Sequence, residues 1–282
     1  MKPLPILLLT TTAGFAVAIG ETPDDGHDHA AQTASCCGGD STTIRSSYLI
    51  PVLPEAAQDV TGTVKGNVLF GGKERPKIEP LEISAKAAEG CTADGQSVDD
   101  TNWSVIIAKG GGIKNAVVQL DVEGAENKEL TEPIVLDQAQ CRYDPHVLLI
   151  PAGATVEYLN SDSVSHNVHT YSLKNTPFNR TIGAGGKDRQ KLDKPEAIEA
   201  KCDIHPWMNC WLYVTDKPFT TTTGADGTFT IEGVPAGTHK ATIWHERLGK
   251  ARAEVTVAED GSSAALEVKL SGKKTSGRRR RR

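Results

Sequence analysis

The stretch Ile198-Glu199-Ala200-Lys201-Cys202-Asp203-Ile204-His205-Pro206-Trp207-Met208-Asn209-Cys210-Trp211-Leu212-Tyr213-Val214 decides how this chain is read. Ile198 to Cys202 and Trp211 to Val214 read as strands, and Pro206 marks the segment between them as a loop. That loop carries a thiol, an imidazole and a thioether at Cys202, His205 and Met208, spaced by two residues each time. Taken singly, Cys202 reads as a disulfide partner of Cys210, and His205 as a surface residue. Together they place sulfur and nitrogen donors on one tight turn leaving a strand.

A second imidazole comes from upstream. Thr155 to Leu159 alternates as a strand and leads into Asn160-Ser161-Asp162-Ser163-Val164-Ser165-His166-Asn167-Val168-His169. In extended chain, residues three apart face opposite sides of a sheet, so only one of His166 and His169 is expected to reach the loop, and His166 is chosen. Two imidazoles and a thiolate, with a thioether beside them, form the donor set of a mononuclear type 1 (blue) copper ion. Zinc is the rival metal, but a thioether is not among its usual ligands.

These residues resemble the cupredoxins. Asn160 through His169 looks like the segment carrying their first histidine ligand, and Cys202 to Met208 resembles the short ligand loop of amicyanin. The resemblance covers roughly residues 149–214. It implies a Greek-key β-sandwich holding one copper ion through His166, Cys202, His205 and Met208. Asn167 would stand behind the ligands and tie the two loops together. It also implies an electron carrier whose redox protein partner the sequence does not identify. His205, Pro206 and Trp207 are expected to present an imidazole edge on an apolar patch where that partner docks.

Outward from this region the texture stays β. Val60 to Phe70 alternates and ends in Gly71-Gly72. Further strands are expected at 103–108, 116–122, 133–136, 147–150, 227–232, 238–245, 253–257 and 265–270, with a single helical turn near 81–88. Thr223-Gly224-Ala225-Asp226-Gly227-Thr228-Phe229 and Val234-Pro235-Ala236-Gly237-Thr238 resemble the carboxypeptidase regulatory-like modules, as does the opening strand at Gly62. The expected fold is therefore all-β: a cupredoxin-like Greek-key sandwich over 59–216, whose first strands can belong to a second small β-sandwich module over 217–271.

Lys2 and the apolar run Pro3 to Ile19, closing on Ala16-Val17-Ala18, read as a signal peptide over 1–20 and predict a periplasmic or extracellular protein. No later run is apolar enough to span a bilayer. Residues 21–58, with His27, His29, Cys36 and Cys37, read as a disordered leader. Lys273, Lys274 and Arg278 to Arg282 supply seven positive charges to a chain of net charge −5, which leaves −12 before the basic tail at 272–282. An acidic body argues against nucleic acid as a partner, while the tail suits an anionic surface. Cys91 and Cys141 are read either as a disulfide or as separate thiols, and Cys210 has no evident partner. Cys141 to His146 forms a second cluster of donor types, read first as a disulfide half beside a hydrogen-bonded histidine. His245 is read as a packed or surface residue.

The expected function is that of an exported type 1 copper protein and one-electron carrier. The alternative, motivated by the leader histidines and cysteines, is copper trafficking or storage. Enzymes of the multicopper type need additional histidine pairs. The His-x-His pair of this chain lies in the leader, so the chain is not read as an enzyme.

Overall fold

The computed structural model describes residues 49, 51–53, 60–92 and 96–272. The expected signal peptide, most of the leader and the basic tail beyond Gly272 lie outside the described residues. The strands in chain order are β1 (Pro51–Val52), β2 (Thr61–Phe70), β3 (Val117–Asp121), β4 (Glu126–Asn127), β5 (Ile134–Ala139), β6 (Arg142–Asp144) and β7 (Val147–Pro151). They continue with β8 (Ala154–Asn160), β9 (His166–Thr170), β10 (Asn179–Ile182), β11 (Lys187–Leu192), β12 (Glu196–Lys201) and β13 (Asn209–Thr215). The last are β14 (Thr220–Thr222), β15 (Thr228–Pro235), β16 (Gly237–His245), β17 (Gly249–Val257) and β18 (Leu266–Leu270). The protein is all-β, with no helix among the described residues.

Two pairs of sheets enclose two cores. A five-stranded sheet, β10-β9-β12-β13-β7, and a four-stranded sheet, β11-β8-β5-β6, share one apolar core built on Ile134, Leu136, Leu148, Ile150, Ile198 and Leu212. The pairs β13–β7 and β5–β8 are parallel, so the chain crosses over between strands that are distant in sequence. The other pair of sheets, β14-β3-β16-β17 and β15-β2-β18, encloses Val64, Val68, Val118, Leu120, Ile243 and Val268. Thus β2 and β3, early in the chain, hydrogen-bond with strands that follow residue 219.

Alternation explains each face. In β2, Val64, Gly66 and Val68 point inward, as expected from the sequence. Gly66 is required there, because a Cβ would sit 2.1 Å from the Leu266 carbonyl oxygen of the parallel neighbour β18. Every residue of β7 is buried. Leu148 and Ile150 enter the first core, while Val147 and Leu149 join Val117 and Trp244 in a third cluster between the two sandwiches. An antiparallel sheet with a solvated face would show polar residues at those outward positions, so the apolar run marks a strand covered on both sides. Trp211 and Tyr213 of β13 also face this cluster, with their rings 5.2 and 5.3 Å from that of Trp244.

Several local expectations differ from the structure. Residues 103–108 form no strand, only an isolated bridge between Ile107 and Ile113, because Trp103 and Ser104 turn inside a long connection. The turn expected near 81–88 is present but lies at 85–90, with the amides of Ala87 and Ala88 both donating to the Ser84 carbonyl. Within the segment expected to be disordered, Leu49 is buried against Trp244, and Pro51–Val52 pairs with β4. Apolar contact with a groove between sandwiches orders these residues, and composition carries no sign of it. The short strands β6, β10, β11 and β14 were not anticipated, since each is rich in polar residues.

Candidate metal centre

The donor residues meet at one end of the first sandwich. Strand β12 ends at Lys201, and the chain turns there at once. The Cys202 amide donates to the Met208 carbonyl at 3.1 Å, and the Met208 amide to the His205 carbonyl at 2.9 Å. This closes a compact loop that re-enters the sheet as β13. Strand β9 lies antiparallel to β12, with His169 opposite Lys201, so its first residue, His166, projects past the end of β12 towards the loop.

His166 Nδ1 lies 2.9 Å from His205 Nδ1, and His205 Nδ1 lies 3.8 Å from Cys202 Sγ. One donor atom each from His166, Cys202 and His205 falls within 4.8 Å of the others. His166 and Met208 have no exposed surface, Cys202 retains 2% and His205 6%, so bulk water is excluded from the cluster. Cys202 forms no disulfide. The side chain of Met208 is buried in the same core as Cys202 and Trp207. Two imidazole nitrogens and a thiol sulfur, with a buried thioether in the same core, make a donor set that fits a soft-to-borderline metal ion.

Electrostatics distinguish the three groups. Burial raises the Cys202 pKa, but hydrogen bonds from His166 and from the backbone amides of Asn167, His205 and Ile204 outweigh it and hold the thiol below its ordinary value. Burial pulls His166 down, yet Asp162 and Cys202 together leave it raised. His205 is lowered by burial and by the neighbouring His166, with Asp162 opposing.

Asn167 joins the two donor-bearing segments. Its Oδ1 accepts from the Asp203 amide at 2.6 Å, and its Nδ2 donates to Asp203 Oδ2 at 3.0 Å. His169 faces the other side of the strand, where Nδ1 lies 3.1 Å from Asp203 Oδ2 and the ring stacks on Tyr171. The alternation argument for preferring His166 to His169 thus matches where the two rings point.

The expectation of an exposed His205 edge is not met. Cys91 and Cys141 form a disulfide, and Cys91 Sγ lies 4.0 Å from His205 Nε2. Trp207 covers the same ring at 5.2 Å and donates from Nε1 to the Cys141 carbonyl at 3.0 Å. The loop sequence carries no information about this cap, because Cys91 comes from the long connection between β2 and β3. Cys210 is a free, fully buried thiol whose pKa burial pushes well up. His146 lies just before β7 and pairs with the Glu246 carboxylate, and His245 is buried in the second sandwich.

Sequence reasoning also passed over Asp162. Its Oδ2 lies 2.7 Å from His166 Nε2. The signal available was a carboxylate four residues before the candidate histidine, in a turn.

No family model matches the chain, and no characterised protein sequence matches it. The resemblance of residues 223–249 to carboxypeptidase regulatory-like modules finds no support in these comparisons. Solved structures similar to the chain include a copper-containing nitrite reductase, amicyanin variants and a purple cupredoxin. A copper-containing nitrite reductase from Thermus scotoductus SA-01 is 28% identical over 34% of this chain, with a TM-score of 0.29. This chain spans 25% of that reductase. An amicyanin variant in its reduced Cu(I) form is 22% identical over 31% of this chain and 87% of its own, with a TM-score of 0.29. A purple cupredoxin from Nitrosopumilus maritimus is 24% identical over 29% of this chain and 96% of its own, with a TM-score of 0.26.

Proposed function

We propose that this chain is an exported one-electron carrier that holds a single type 1 copper ion through His166, Cys202, His205 and Met208. The observation that carries the reading is the convergence of one donor atom each from His166, Cys202 and His205 within 4.8 Å inside a buried core. Bound copper supplies a reversible couple between Cu(I), which favours sulfur, and Cu(II), which favours imidazole.

The protein's own part is to hold still. Cys202 and His205 sit on a loop closed by three internal hydrogen bonds, one of them from the His205 amide to Cys202 Sγ at 3.3 Å. His166 is anchored through the strand pairing of β9 with both β10 and β12. Donors locked in this way suit both oxidation states with little rearrangement, which favours fast electron exchange. The lowered Cys202 pKa and the lowered His205 pKa leave both groups ready to offer lone pairs to a cation.

The test is to load the full chain with Cu(II) and record its visible absorption and copper EPR spectra, alongside Cys202→Ser. An intense thiolate-to-copper band with narrow hyperfine splitting, reversible one-electron reduction, and loss of the band in the variant are expected. A pale, ordinary tetragonal copper signal that Cys202→Ser leaves unchanged would overturn the proposal.

A further inference from the structure

The Asp162 carboxylate contacts none of the proposed donor atoms that face the centre, yet it is built into the structure with more care than a surface acid. Its side chain is 8% exposed. One oxygen, Oδ1, accepts the Gln140 amide at 2.6 Å, and the other, Oδ2, accepts the Cys141 amide at 2.8 Å. Gln140 and Cys141 reach this arrangement by adopting φ values of 54° and 50°, two successive non-glycine residues in the left-handed region. That conformation is unfavourable for a side-chain-bearing residue, and here it aims two neighbouring N–H groups at one carboxylate. The turn is itself pinned twice, by the disulfide from Cys141 to Cys91 and by the Trp207 indole on the Cys141 carbonyl.

The product of this construction is an oriented His166. Its two ring nitrogens are divided: Nε2 meets Asp162 Oδ2 at 2.7 Å, and Nδ1 meets the donor cluster at 2.9 Å from His205 Nδ1. A carboxylate on Nε2 requires the proton there and leaves the Nδ1 lone pair for a metal. It also makes the imidazole a stronger electron donor, which favours the higher oxidation state of a bound ion.

We propose that Asp162 is a positioning residue that fixes the tautomer of His166 and lowers the reduction potential of the centre. This inference rests on the copper reading given above. Removing the negative charge is expected to favour Cu(I) over Cu(II), and removing the hydrogen-bond acceptor to weaken Cu(II) binding.

The experiment compares wild-type full chain with Asp162→Asn and Asp162→Ala, measuring the thiolate-to-copper band, the potential by voltammetry, and Cu(II) affinity by chelator competition. Asp162→Asn is expected to keep the band and raise the potential by at least ~59 mV, a tenfold change in the ratio of Cu(II) to Cu(I) affinity. Asp162→Ala is expected to lose about 10- to 100-fold in Cu(II) affinity. Should either variant fail to fold, nitrogen-15 NMR of the wild-type Cu(I) chain still decides: the His166 Nε2 proton is expected to exchange slowly with solvent. An unchanged potential in a blue Asp162→Asn protein, or an unprotonated His166 Nε2 in the wild type, would overturn the inference. Absence of the blue band in the wild type would instead remove the copper reading itself.

Discussion

The two sandwiches put their hairpin ends to different uses. In the first, the connection between β12 and β13 buries a thiol, an imidazole and a thioether where an ordinary turn would expose polar residues. In the second, the connection between β16 and β17 is Glu246-Arg247-Leu248, and the nearby His245 serves the backbone: its Nδ1 accepts from the amides of Arg247 and Leu248 at 3.2 and 3.3 Å. Both are buried histidines at a sheet end. One group of donors opens onto other donors and can hold an ion, whereas the other closes a turn. The chemistry therefore resides in a loop of a few residues, and the surrounding β-architecture determines how rigidly and how dryly they are held. The second sandwich contributes to the first all the same. The connection between its strands β2 and β3 carries Leu81, Ile83, Ala88, Cys91 and Val98 onto the first core and lays the disulfide over His205.

Breaking that link gives the largest effect expected from this contrast. Replacing Cys91 and Cys141 together by Ser frees a loop with a sequence separation of 50. The double variant should lose ~4 kcal/mol of stability in denaturant unfolding, through the greater entropy of its unfolded chain. It should also expose the His205 edge, seen as faster exchange of bound copper with a chelator. A variant with unchanged stability and exchange would show that the cover over the site belongs to the first sandwich alone.

A medium effect should appear with pH, and it should arise in the second sandwich. Burial, reinforced by His146 and opposed by Glu246, lowers the His245 pKa from 6.5 to about 4. The folded ring therefore binds a proton less readily than the unfolded one. Its stabilising contribution is complete above pH 6.5 and is lost as the pH falls towards 4, by up to ~3 kcal/mol. Thermal midpoints measured between pH 7 and pH 4.5 should fall less steeply in His245→Asn than in the wild type. Parallel curves would show that His245 carries no such linkage.

The smallest effect is expected on the outer sheet of the first sandwich. There Arg189 Nη2 pairs with Glu157 Oε2 at 2.6 Å, but more than half of the Arg189 side chain is exposed. Arg189→Ala should cost about 1 kcal/mol or less, and should leave both the copper spectrum and the potential unchanged. A shift in potential would mean that charges at the sandwich surface reach the centre, and the electrostatic role given to Asp162 would no longer stand apart.

Legibility in the sequence followed the range of the physics involved. Alternation with period two is a local property. Apolar or alternating segments such as β2, β7, β8, β13 and β16 were therefore visible from their own residues, whereas the polar β10 and β11 were not. Their strand state comes from pairing with β9 and β8 rather than from any preference of Asn179-Arg180-Thr181 or Lys187-Asp188-Arg189. The same local rule separated His166 from His169.

By itself the sequence determined an all-β chain and two segments bearing imidazole, thiol and thioether groups, because strand pattern and donor type are written in neighbouring residues. Only the tertiary structure decided that donor atoms of His166, Cys202 and His205 meet within 4.8 Å, that β7 is covered on both faces, that a disulfide caps His205, and that Asp162 contacts the far ring nitrogen of His166. Each of those facts depends on contacts between residues far apart in the chain or on the conformation of a distant turn. Such contacts are set by how sheets pack and where connections are drawn across them, and no single segment carries that information.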